Sequence, residues 1–149
     1  MKGAAFDASV LTLLPGHVGI ANRYSGTTLV TWDIFDVHGV RQKNYYSFRA
    51  FRLLLDTPQR VDTGAAEING MTALAGLSKD KTQANLLLSN FGTTCSSYNI
   101  ELGHLPWGQP TTYEKRVVDE SNDLDLVKTE TLTGTAAALL EDVEVPSCA

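Results

Sequence analysis

The sequence predicts an α+β protein: a helix, strand and helix over residues 1–57, then an antiparallel β-sandwich over residues 58–149. Three observations carry this. Pro15-Gly16 and Thr57-Pro58 close two apolar, helix-favouring runs. Beyond Pro58 the apolar residues recur at spacing two in short runs separated by turn residues. Charge divides at the same place: residues 1–61 hold seven Lys/Arg against four Asp/Glu, and residues 62–149 hold five against thirteen, the mark either of two folding units or of a solvated acidic face.

Ala4 to Leu14 (AAFDASVLTLL) reads as a helix, apolar on most sides, that stops at Pro15-Gly16. His17 to Tyr24 (HVGIANRY) follows. Val18, Ile20 and Ala21 precede polar residues there, the pattern of a buried strand that ends in polar groups and is broken at Ser25-Gly26. After a loop, TTLVTWDIFDVHG, a second helix starts near Lys43 or Asn44 and runs to Leu55. On a 100° wheel Arg49, Arg52 and Ser47 take the wet positions, whereas Tyr45, Tyr46, Phe48, Ala50, Phe51, Leu53, Leu54 and Leu55 spread around most of the circumference. Such a helix requires partners on two sides. Each of its aromatics removes roughly 150–250 Å² from water when buried, and a monomer tolerates an exposed patch of only a few hundred Å².

Seven candidate strands follow: AAEI, MTALAGL, QANLLLSNF, SYNIELG, TYEKRVV, LDLVKTET and TAAALLE. Asn69-Gly70, Ser78–Asp80, residues 92–94, Gly103–Pro110, Ser121–Asp123 and Gly134 supply the turns between them. In SYNIELG, Tyr98, Ile100 and Leu102 are expected to face the core, with Asn99 and Glu101 in water. Val143 and Val145 read as the approach to a further, final strand. Helix, strand and helix before an all-β part is the order left when an α/β domain is cut within its last units.

Composition narrows the function. The net charge of −5, with no Lys/Arg cluster interleaved with aromatics, points away from nucleic acid. No run reaches the roughly 18 apolar residues of a membrane span. Asp7 inside the first apolar run makes it a poor signal peptide, and the compartment stays open. Cys95 and Cys148 fit neither a metal motif nor a dense disulfide framework. His17, His38 and His104 lack metal-ligand spacing, and no nucleophile triad or phosphate loop stands out. The expectation is a protein without metal or cofactor.

The run "NRYSGTTLVTWDIFDVHGVRQKNYYSFRAFRLLLDTPQRV" resembles the last barrel unit of glycoside hydrolases of the family 39 type, the β-xylosidase and α-iduronidase group, whose closing helix carries a "YYAF.A...L..TP.RV" pattern. The segments "MTALAGLSKDKTQANLLLSNFG", "IELGHLPW" and "YEKRVVDESNDL" look like the β-sandwich that follows the barrel in the same proteins. The resemblance implies a C-terminal remnant of a (β/α)8 barrel over 1–57 and a sandwich over 58–149 that lacks its last strand. It also implies retaining hydrolysis by two glutamates about 5–5.5 Å apart. In the family these end barrel strands four and seven, so both are expected upstream of Met1, and no catalytic residue is assigned in this chain.

What the chain itself offers is a set of residues after the first strand. Arg23, Tyr24 and Trp32 combine aromatics with a cation, which suits stacking on a sugar face and bonding its hydroxyls, or else anchoring of the loop against the barrel rim, since aromatics serve packing first. Asp33 and Asp36 lie in the following loop, at the functional face of a barrel, with Asp36 and Asp33 also suited to turn capping. Glu101, Glu114 and Glu130 fall on solvent-facing strand positions, and Trp107 reads as a loop plug. The expected partners are carbohydrate and either the missing barrel portion or a second copy docked on Tyr45, Phe48 and Phe51. The alternative is a non-catalytic carbohydrate-binding or structural sandwich.

Overall fold

The computed structural model describes residues 1–27, 32–64, 67–93, 97–108, 110–133 and 137–145. Cys95 and Cys148 lie outside the described residues. Two helices, α1 (Lys2–Leu13) and α2 (Lys43–Arg52), precede eight strands: β1 (Gln59–Val61), β2 (Glu67–Ile68), β3 (Met71–Leu77), β4 (Ala84–Asn90), β5 (Ser97–Leu102), β6 (Thr111–Val118), β7 (Asp123–Leu132) and β8 (Ala138–Glu144). The expected α+β class with antiparallel pairing is what these residues form.

The strands fall into three antiparallel sheets. Strand β3 is the centre of the largest. Strand β4 pairs with its whole length, from Met71↔Asn90 to Leu77↔Ala84, so β1 and β2 must share its other edge, at Ala75–Leu77 and at Met71–Thr72. The β2–β3 turn is the Asn69-Gly70 pair foreseen in the sequence. Both residues have positive φ, 50° and 85°, which matches the twist of a two-residue hairpin. The other sheets are the pairs β5–β8 and β6–β7.

Each of the seven predicted strands has a counterpart, though the first residues of AAEI (65–66) and of TAAALLE (135–136) lie outside the described residues. In β5 the half-buried positions are Tyr98, Ile100 and Leu102, as the alternation requires. Four expectations need correction. Residues 17–24 do not form a buried strand: Val18 is exposed and Ile20 is 84% exposed. A strand is stable only when its N–H and C=O groups are paired, and among the described residues no strand runs beside this one. The second helix ends at Arg52 rather than Leu55, and Leu53–Asp56 tightens into a 3-10 turn before β1, which is not among the seven expected strands. Ser47, expected in water, is buried and donates to the Ala4 carbonyl at 2.8 Å. Val143 belongs to β8, opposite Tyr98, rather than to a further strand.

Small and polar side chains hold the helices in place. On β3 and β4, Thr72 and Ser89 are direct cross-strand neighbours. Helix α1 places Ser9 and Thr12 one turn apart on the face above them. Thr12 Oγ1 lies 2.7 Å from Thr72 Oγ1, and Ser9 Oγ 3.1 Å from Ser89 Oγ. On the side facing α2, Gly3 leaves room for the Asn44 side chain, which would lie 3.1 Å from a Cβ at that position. Helix α1 therefore buries Ala4, Asp7, Ala8, Ser9 and Thr12 and leaves Phe6 and Leu13 partly exposed. Its polar stripe faces inward.

Candidate functional site

The inward stripe explains how the residues after α1 are held. Asp7 is 4% exposed, and an isolated carboxylate at such a position would be costly. Arg23 meets it with two parallel contacts, Nε to Oδ1 at 3.0 Å and Nη2 to Oδ2 at 3.1 Å. Asn44 of α2 adds a third, Nδ2 to Oδ2 at 2.7 Å. Two more donors of the guanidinium go to backbone: Nη1 donates to the Tyr24 carbonyl and Nη2 also to the Trp32 carbonyl.

Arg23 thus ties together both flanks of the segment between Tyr24 and Trp32. A second tie joins the next residues in, where the Ser25 hydroxyl donates to Asp33 Oδ1 at 3.3 Å. Asp33 is 3% exposed. The Tyr24–Ser25 peptide is cis. Both rings face outward: Tyr24 is 90% exposed and Trp32 52%. Trp32 leans edge-on against Phe6 of α1, centroids 6.5 Å apart, and Phe6 in turn against Phe91 at 5.6 Å.

Of the residues singled out in the sequence, Tyr24 and Trp32 are accessible to a ligand, whereas Arg23 and Asp33 are turned to the protein. Asp36 caps its own turn, accepting from the His38 and Val40 N–H groups at 2.8 Å each. Sequence reasoning missed Asp7, Asn44 and Ser25. The signal that could have found Asp7 was a lone acid among alanines and leucines in a helix, which must find a counter-charge if it packs inward.

Glu101, Glu114 and Glu130 are exposed. Glu114 pairs with Arg116 at 3.3 Å and Glu130 with Lys128 at 2.7 Å. Two carboxyls have displaced acidities. Hydrogen bonds from the Ser78 and Thr82 side chains and the Thr82 N–H hold Asp80 below the usual carboxylate range. Burial pushes Asp119 up, but the Asn122 side chain, the N–H groups of Ser121 and Asn122 and the Lys43 charge outweigh it and hold the group low. Both shifts run opposite to what a proton donor needs. Among the described residues no group of three His, Cys, Asp or Glu side chains could hold a metal ion, and no helix is long and apolar enough to cross a membrane.

Trp107 is half-buried in its loop, its Nε1 enclosed without a hydrogen-bond partner among the described residues. A depression of about 440 Å³ lies between Leu55, Asp56 and the β3–β4 turn. The Ser78, Asp80 and Thr82 side chains lining it are spent on one another. A second cavity of about 100 Å³ lies where the helices meet the ends of β4 and β6, too small for a sugar ring. The candidate site is therefore the two exposed rings of Tyr24 and Trp32, whose backbone carbonyls both accept from Arg23.

No protein-family model matches the chain, and no curated protein does. Among solved structures, the chain is similar to a glucosidase from Croceicoccus marinus, with a TM-score of 0.65 and 22% identity over 76% of this chain. The match spans 31% of the length of that glucosidase. The likeness shows a fold shared with part of a glycosidase.

Proposed function

We propose that this chain forms part of a glycoside hydrolase, a retaining O-glycosidase of the β-xylosidase type. In this reading residues 1–57 close a catalytic barrel and residues 58–149 form the accessory β domain, while the acid/base and nucleophile glutamates are supplied from outside these residues. The chain's own contribution is a sugar-contacting rim.

The observation that carries this reading is the pair of outward rings, Tyr24 and Trp32, on a backbone segment fixed by Arg23. Flat aromatic faces on a rigid support match the apolar face of a pyranose, and the neighbouring polar groups fix orientation. Three further observations support it. The fold is shared with part of a glucosidase. The "YYSFRAF" helix and the segments after it resemble the family 39 type. The apolar outer side of α1 and of residues 18–20 is the side on which further structure would pack, as would the half-buried Tyr45, Phe48 and Phe51, or a second copy there.

Retaining hydrolysis requires one carboxyl that holds a proton near neutral pH and a second that attacks, about 5–5.5 Å away. The surface glutamates, two of them paired to cations, serve neither role. The purified 149-residue chain should therefore bind xylo-oligosaccharides but release no nitrophenol from aryl β-xyloside or β-glucoside. Turnover that survives removal of contaminating enzymes would overturn the assignment of catalysis to other residues.

A further inference from the structure

We propose that Arg23 is a positioning residue of the aromatic platform, with Asp7 and Asn44 as its anchor. This rests on the sugar-rim reading, in that the platform is what a saccharide meets. Its geometry can be tested separately.

An arginine offers five N–H donors in one rigid plane. Here Nε and Nη2 are committed to Asp7, Nη1 to the Tyr24 carbonyl and Nη2 also to the Trp32 carbonyl. Each nitrogen of the group has a protein partner, and of the five N–H donors four are engaged, which leaves one on Nη1. Arg23 does something a point charge would not: one planar group fixes the relative orientation of two carbonyls, and these belong to the two residues whose rings are exposed.

The anchor is rigid in turn. Asp7 sits on α1 two residues before Ser9, which bonds to β4, and its Oδ2 also receives Asn44 from α2. A chain of contacts therefore runs from the sheet through α1 and Asp7 to Arg23 and the rings. Two independent contacts converge on the same segment, the Ser25–Asp33 bond and the edge contact of Trp32 with Phe6, the neighbour of Asp7.

The test uses the full chain carrying Trp107→Phe, in which Trp32 is the sole tryptophan. Time-resolved anisotropy should show Trp32 turning with the whole protein. Arg23→Lys keeps a cation for Asp7 but cannot span both carbonyls. It should add a fast nanosecond component and weaken xylotetraose binding about tenfold or more. Ser78→Ala, which loosens the β3–β4 turn and lies outside this chain of contacts, should do neither. If Arg23→Lys leaves Trp32 as constrained as before, the proposal is wrong. If it frees Trp32 but the parent protein binds no xylotetraose, the positioning role stands and the sugar-rim reading falls. Should the lysine variant not fold, hydrogen exchange at the Arg23 Nε–H of the unaltered chain decides: protection supports the staple and free exchange overturns it.

Discussion

Asp7 and Arg23 form a two-point ion pair in which the acid is buried and the base is 23% exposed along its side chain. Breaking such a pair from one side leaves an uncompensated charge inside the protein, at a cost of about 3 kcal/mol or more. Arg23→Ala should lose this much in urea unfolding at neutral pH. Asp7→Ala/Arg23→Ala should lose less than the sum of the two single changes, because the double variant leaves no orphan charge. Additive losses would mean that the two side chains do not interact.

Thr12 and Thr72 provide a second, neutral test of how α1 sits on the sheet. Both are buried, and their hydroxyls are 2.7 Å apart. Thr12→Val strands the Thr72 hydroxyl and should cost about 1–3 kcal/mol, Thr72→Val should cost less because Thr12 keeps the Ser9 carbonyl at 2.8 Å, and replacing both should be closer to neutral than the sum. Equal and additive losses in a thermal or urea cycle would place the helix elsewhere.

The crossing from α2 into the sheets is checked at Gly76. A Cβ there would lie 2.0 Å from the Thr57 carbonyl oxygen and 3.0 Å from its Oγ1. Gly76→Ala should destabilise by about 3 kcal/mol as the backbone of the crossing is forced away. Gly19→Ala, where a Cβ meets nothing within 4 Å, should change the unfolding midpoint little. A tolerated Gly76→Ala would show that Thr57 does not cover β3.

Acid sensitivity is expected at the β6–β7 turn. The Asp119 carboxyl titrates below its ordinary 3.8 in the folded chain, so the unfolded chain binds the proton more readily. Its contribution is whole above the unfolded value and fades as pH falls through the folded one, below about pH 4. Asp119→Asn should give a shallower loss of stability between about pH 5 and about pH 2.5 than the parent protein. Equal slopes would mean that the turn hydrogen bonds do not favour the ionised form.

Much of this architecture was legible because its signals are local. Period-two runs such as MTALAGL need only a paired neighbour to become strands, and Asn69-Gly70 names its own turn. Residues 17–24 misled because an apolar run says how a segment could pair but not whether a partner strand lies beside it. Ser47 misled and Asn44 was missed for a different reason: where Gly3 and Ala4 let two helices approach closely, small polar groups fit and bulky apolar ones do not. At the site, Tyr24 and Trp32 stood out in the sequence as aromatics beside the cation of Arg23, but their exposure and the contacts of Arg23 with Asp7 did not. Asp7 and Arg23 are distant in sequence, and nothing local records that one faces the other.

The central claim, that Trp32 with Tyr24 forms the saccharide platform, is tested most directly by the two tryptophan indole N–H resonances during a xylotetraose titration, with Trp32→Phe to assign them. The account predicts a saturable shift of the Trp32 signal while the enclosed Trp107 signal stays in place. A titration in which neither moves, or in which only Trp107 moves, would contradict it.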